Sequence, residues 1–163
     1  MSNQHQIKTE SGLTINPIES IQDLLSGTSF QEDRVAQDHL NSLGNSFYEI
    51  SKTAEGQVML GAMEGLVGQI KTESAFKDAV KVCFRLAKKM SINPWVQFGI
   101  FIGLFGLLVA LIGQFGNLAA FGGGLAGLMK SVGMDIFGST LMSHGVKQAV
   151  GNFMGGREDF FEN

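Results

Sequence analysis

The chain has 163 residues, of which 15 are acidic and 12 are basic, and its formal net charge is −3. This length predicts one domain, and the single cysteine excludes an internal disulfide framework and a metal site built on several cysteines. Only 17% of the residues are charged, and none of the 40 residues from 90 to 129 is. Because roughly 18 apolar residues already indicate a membrane span, the composition argues against an ordinary soluble protein.

The first 15 residues are polar, and we expect them to be disordered. The first 20 residues contain no apolar signal-peptide region, so we expect membrane insertion to depend on internal apolar segments. Asn16 and Pro17 then predict a helix start, because asparagine caps helices well and proline suits the first helical position.

Residues 16–92 carry apolar side chains at alternating intervals of three and four, which predicts a cytoplasmic helical region. The three sets are Ala36, Leu40, Leu43, Phe47, Ile50 and Ala54; Met59, Met63, Leu66 and Ile70; and Phe76, Val80, Cys83, Ala87 and Met90. These stripes are consistent with a small bundle that closes on itself, or with self-association or docking onto a partner helix.

Four basic residues, Lys81, Arg85, Lys88 and Lys89, come directly before the uncharged run without an intervening acid. The positive-inside rule places this flank in the cytoplasm, and the same residues could contact anionic lipid headgroups. We expect no nucleic-acid partner, because no aromatic residues alternate with these bases and the whole chain is acidic.

The uncharged run predicts a transmembrane helical hairpin over residues 93–134. Asn93 and Pro94 repeat the helix-start signal, and Trp95 lies where an interfacial aromatic residue is expected. Residues 95–112 would form a helix of about 27 Å, residues 113–117 supply turn residues, and a second apolar stretch covers residues 118–134. Both ends would then return to the cytoplasmic side; a re-entrant hairpin is the alternative.

Small residues recur on one face of each predicted hairpin helix, and in lipid such faces allow close helix packing. They are Gly99, Gly103, Gly106, Ala110 and Gly113 on the first helix, and Ala120, Gly124 and Gly127 on the second. The two faces could pack against each other, or between subunits of a homo-oligomer.

Residues 135–163 predict an amphipathic helix at the membrane interface, from Ile136 to Met154, followed by a tail. The predicted fold class is therefore all-α: a soluble helical region, a membrane hairpin of two apolar helices, and an interfacial amphipathic helix.

Nothing in the sequence forms a catalytic or metal-binding set, so we expect no enzyme activity and no cofactor. His5, His39 and His144 lie in different segments, and Cys83 is expected to be a small buried apolar residue.

The layout of two apolar helices joined by the short polar turn at residues 113–117 resembles that of the pilin-like and small inner-membrane subunits of type IV secretion and conjugation systems. The resemblance implies a structural membrane subunit of a multi-protein envelope assembly. Its partners would be the bilayer, other membrane subunits and further copies of itself, and its location the bacterial inner membrane, crossed more than once with both termini cytoplasmic.

Two other hypotheses stay open. The alternation of glycine and phenylalanine in residues 98–106 is typical of sequences that insert obliquely into bilayers, which would suit a holin, a translocator or a fusion component. A polar region followed by an apolar hairpin would also suit an effector inserted into a host vacuole membrane.

Overall fold

The computed structural model describes residues 5–9, 11–25, 29–115 and 134–155. These residues form seven α-helices and one pair of short antiparallel strands, which confirms that the chain is mainly helical. One helix in this part of the chain has the length and hydropathy of a membrane span, so the two-helix hairpin remains a prediction.

The elements follow one another with short connections. They are β1 (Ile7–Lys8), β2 (Thr14–Ile15), α1 (Pro17–Leu24), a 3₁₀ turn (Ser29–Glu32), α2 (Arg34–Ser51), α3 (Ala54–Val67), α4 (Glu73–Met90), α5 (Pro94–Phe115), α6 (Met134–Met142) and α7 (Val146–Gly155).

The N-terminal segment differs from the predicted disorder. Ile7 pairs with Ile15 in a small hairpin, and both side chains are buried. Gly12 turns the chain between the strands with a φ of 93°, a value that favours glycine. The polar composition concealed two isoleucines that face the core, and their burial orders the described residues of this segment.

Polar side chains start the first helices by accepting a hydrogen bond from a backbone N–H three residues later. Asn16 caps α1 at 3.0 Å, which confirms the start predicted at Asn16 and Pro17. Asp33, Thr53 and Thr72 cap α2, α3 and α4 in the same way, also at 3.0 Å.

The apolar stripes of α2, α3 and α4 face one common core inside the chain. Ala36, Leu40 and Leu43 of α2 are fully buried. The first predicted stripe is interrupted, because α2 ends at Ser51 and Ala54 is exposed at the start of α3. These stripes therefore close a bundle within the chain.

Helix α5 lies at the centre of this bundle, in contact with α1, α2, α3, α4 and α7. The sequence predicts a boundary near residue 93 between a cytoplasmic region and a membrane segment, and α5 packs against the helices that precede this boundary. The helix also continues to Phe115, beyond the predicted end at Ile112, and so includes Gly113.

The predicted amphipathic helix from Ile136 to Met154 is divided into α6 and α7 by Ser143, His144 and Gly145. The carbonyl of Gly145 accepts the first hydrogen bond of α7, from the N–H of Ala149, at 2.9 Å. Glycine has a low helix propensity, so Gly145 explains the break. The apolar face of α7 packs on the protein core, where Val150 and Phe153 are buried.

Candidate functional site

The candidate functional site is α5 together with the helices that enclose it. The segment Pro94–Gly113 has a mean hydropathy of 2.3 and is long enough to cross a membrane. Length and composition alone also fit the central helix of a soluble domain, and 83% of its most apolar window is buried by the rest of the protein.

The burial of α5 extends around the whole helix. Every residue from Gln97 to Val109 is buried, and this stretch covers several helical turns. Ile102 and Leu108 are both 0% exposed. A helix that is apolar on all sides must lie in a protein core or in a membrane, and here it lies in the core.

The predicted small-residue face lies against α1 and α2. A Cβ at Gly99 would lie 3.2 Å from the carbonyl oxygen of Leu43. A Cβ at Gly103 would overlap the ring of Phe47, and one at Gly106 would overlap the carbonyl of Pro17. These three glycines therefore allow close approach within the protein, whereas the sequence suggested a second hairpin helix or another subunit.

The remaining predicted packing residues have no such role among the described residues. Ala110 is half-buried, and a Cβ at Gly113 would meet nothing within 4 Å. Ala120, Gly124 and Gly127 lie outside the described residues.

Phenylalanines join α5 to α4 and α7 on another side of the helix. Phe84 and Phe101 meet edge to face with ring centroids 5.6 Å apart. The ring centroid of Phe153 on α7 lies 5.4 Å from that of Phe98 and 5.7 Å from that of Phe101. Such aromatic pairs add to the free energy gained from apolar burial, so α7 helps to hold α5 in place.

The start of α5 combines a cap with an aromatic contact. The side-chain oxygen of Asn93 accepts a hydrogen bond from the backbone N–H of Trp95 at 2.9 Å, which confirms the predicted helix start. Trp95 is half-buried, and its ring meets the imidazole of His39 edge to face at 6.0 Å. Both line an open cleft of about 580 Å³ together with Lys147 of α7.

The four predicted basic residues all lie on α4, but they differ in exposure. Lys81 is half-buried, whereas Arg85, Lys88 and Lys89 are exposed. The ammonium group of Lys88 lies 5.4 Å from the ring centroid of Phe84. Lys88 and Lys89 occupy the last turn of α4, where positive charge also stabilises the helix end.

Cys83 is a buried apolar residue, as its place in the sequence predicted. It is 0% exposed, and its thiol lies 3.9 Å from the sulfur of Met63 on α3. Burial raises the pKa of this thiol, because the thiolate would be poorly solvated there. The residue therefore reports whether α3 and α4 have separated.

The histidines lie apart, and no group of three metal-ligating side chains occurs within the described ranges. His5 is hydrogen-bonded to the side-chain oxygen of Asn45 at 2.9 Å. His39 donates a hydrogen bond to the carbonyl of Leu141 at 3.3 Å. His144 is exposed. The first two contacts tie the N-terminal segment and α6 to α2.

The sequence does not predict which residues pack against the glycines of α5. Phe47 was recognised only as part of a stripe, and Pro17 only as a helix start. The periodicity of the stripe predicts that Phe47 is buried, but nothing near Phe47 in the sequence predicts that its ring contacts Gly103. Ile92 was also missed: it is 98% exposed between α4 and α5.

Comparison of the chain with protein-family models, curated proteins and solved structures finds no match.

Proposed function

We propose that this protein inserts into membranes and permeabilises them, and that its fold stores the inserting helix, α5, inside a shell of amphipathic helices. This is the second of the functions suggested by the sequence. The single observation that supports it most is a charge-free helix of bilayer length whose residues from Gln97 to Val109 are all buried.

The length of α5 suits a membrane role as well as a packing role. Its 22 residues correspond to about 33 Å of helix, close to the roughly 30 Å thickness of a hydrocarbon core. Trp95, a residue type that is common at membrane interfaces, is the second residue of α5, and two exposed lysines, Lys88 and Lys89, precede the helix. The exposed lysines and Trp95 at one end of α5 are the flanking residues expected of a membrane helix.

The packing of the small-residue face supports a stored helix. In a structural subunit that pairs through Gly99, Gly103 and Gly106, this face would be available to other membrane helices. Here α1 and α2 cover it. Release of α5 from these two helices would make the same face available for pairing within a bilayer.

The enclosing helices also suit temporary storage. Helices α2 and α4 have one apolar and one polar face, so they can cover α5 while their charged sides face water. In a bilayer α5 would keep all its backbone hydrogen bonds, because each is made within the helix. The apolar faces left behind could then lie on the lipid surface.

The proposal is tested with purified protein and dye-loaded vesicles of phosphatidylcholine and phosphatidylserine. We expect rapid dye release and a protein fraction that resists extraction by alkaline carbonate. Stable incorporation without dye release would instead favour a structural membrane subunit. Protein that stays in the supernatant and releases no dye would contradict any membrane function.

A further inference from the structure

The turn between α4 and α5 exposes an apolar side chain next to positive charge. Ile92 is 98% exposed, the largest exposure among the large apolar residues described. Lys88 and Lys89 lie four and three residues before it and are exposed, and Trp95 lies three residues after it and is half-buried. We call these four residues the α4–α5 corner.

Hydrogen bonds hold the corner in one conformation. The side chain of Gln97 donates to the carbonyl of Ser91 at 2.6 Å, and the backbone N–H of Asn93 donates to the hydroxyl of Ser91 at 3.1 Å. The backbone N–H of Gln97 also donates to the carbonyl of Asn93 at 2.9 Å. Ile92 is therefore presented to solvent by an ordered turn, and its binding would cost little conformational entropy.

The charge of the segment that forms the corner favours an anionic partner. No acidic residue occurs from residue 79 to residue 134, so the segment that forms the corner is purely basic. Lysines near an anionic lipid surface each contribute to binding, and a neighbouring apolar side chain can enter the boundary between headgroups and acyl chains. Tryptophan is typical of that same boundary.

We propose that the α4–α5 corner docks the protein onto an anionic lipid bilayer, with Ile92 in the interface and Lys88 and Lys89 on the phosphates. This docking proposal rests on the proposed membrane function, because docking here would place the first turn of α5 at the bilayer before insertion. An exposed isoleucine alone is an ordinary surface feature; its combination with two lysines, a tryptophan and an ordered turn distinguishes this corner.

Docking is measured by sedimentation with vesicles that contain either phosphatidylcholine alone or phosphatidylcholine and phosphatidylserine. We expect binding to the anionic vesicles that weakens as salt is raised. The double substitution Lys88→Gln/Lys89→Gln should weaken it about 25-fold, or about fivefold per lysine. Ile92→Ser should weaken it about tenfold.

Matched control variants remove the same chemical groups elsewhere. Lys8→Gln/Lys71→Gln removes two exposed lysines, and Lys71 lies two residues before the start of α4, at the end remote from the corner. Val58→Ser removes an apolar side chain of α3 that is 73% exposed. We expect both controls to bind within about twofold of the wild type. Thermal unfolding of every variant shows that each is folded.

The outcomes separate this proposal from the proposed function. If the corner variants bind as tightly as the wild type, or the controls are weakened equally, the docking proposal is wrong even if dye is released. If the wild type docks through the corner in a salt-sensitive way but never resists carbonate, docking stands and insertion fails. Equal binding to uncharged vesicles would also contradict the docking proposal.

Discussion

At the scale of single residues, the fit between Gly103 and Phe47 sets how close α5 can come to α2. Phe47 is 1% exposed, so its ring has no open space to move into. Gly106 meets the backbone carbonyl of Pro17, which cannot change rotamer. The close approach of three elements therefore depends on two positions without side chains.

We predict that Gly103→Ala lowers the free energy of unfolding by about 2 kcal/mol, because the added methyl group overpacks a filled core. Chemical denaturation measures the change. Gly61→Ala is the matched control, because a Cβ at this exposed position of α3 meets nothing within 4 Å. It should raise stability by about 0.5–1 kcal/mol through helix propensity. Equal effects of the two substitutions would contradict the described packing.

Cys83 provides a second residue-level prediction that needs no substitution. Its burial and raised pKa both suppress reaction, because only an accessible thiolate attacks a maleimide. In buffer at pH 7 we expect labelling at least about a hundredfold slower than in denaturant, as expected for a thiol reached only by unfolding. Labelling that is fast in buffer would show that α3 and α4 are not packed as described.

At the scale of elements, helix starts were the most predictable features. The helix starts at Asn16 with Pro17 and at Asn93 with Pro94 depend only on neighbouring residues. The local sequence was therefore sufficient to predict them. The ends and partners of helices were less predictable. The sequence predicts a turn from Gly113 where α5 continues to Phe115, and one helix over the stretch that is broken before α7.

The cap of α4 gives a prediction at this scale. The hydroxyl oxygen of Thr72 accepts a hydrogen bond from the backbone N–H of Ala75 at 3.0 Å. Thr72→Ala should therefore lower the free energy of unfolding by about 1 kcal/mol. Ser74→Ala changes an exposed residue in the first turn of the same helix and should change stability by less than about 0.5 kcal/mol. Equal losses in thermal or chemical denaturation would show that the cap contributes nothing.

At the scale of the whole molecule, the sequence identified the apolar helix but not its surroundings. A charge-free segment that begins at Pro94 satisfies the requirements of a bilayer and of a protein core equally well. Only tertiary contacts distinguish the two environments. In the folded protein the apolar stripes of α2, α3 and α4 meet around α5. The spacing of the glycines predicted a packing surface, but it did not predict that α1 and α2 pack against it.

We propose that α5 must leave α2 before the protein acts on a membrane. A disulfide between α2 and α5 tests it in the variant Leu43→Cys/Gly99→Cys/Cys83→Ala. The Cβ of residue 99 would lie 3.7 Å from the Cα of residue 43, so the two cysteines would be neighbours across the contact between α2 and α5. The control is Leu43→Cys/Cys83→Ala, which cannot form this bridge.

The decisive measurement is the rate of dye release from anionic vesicles by the oxidised triple variant, before and after reduction. Mass spectrometry and circular dichroism first establish that the bridge has formed and that the helices are retained. We predict no release while the bridge is intact, full release once it is reduced, and no effect of reduction on the control. Release at the same rate from the bridged and reduced proteins would contradict a mechanism in which α5 is freed.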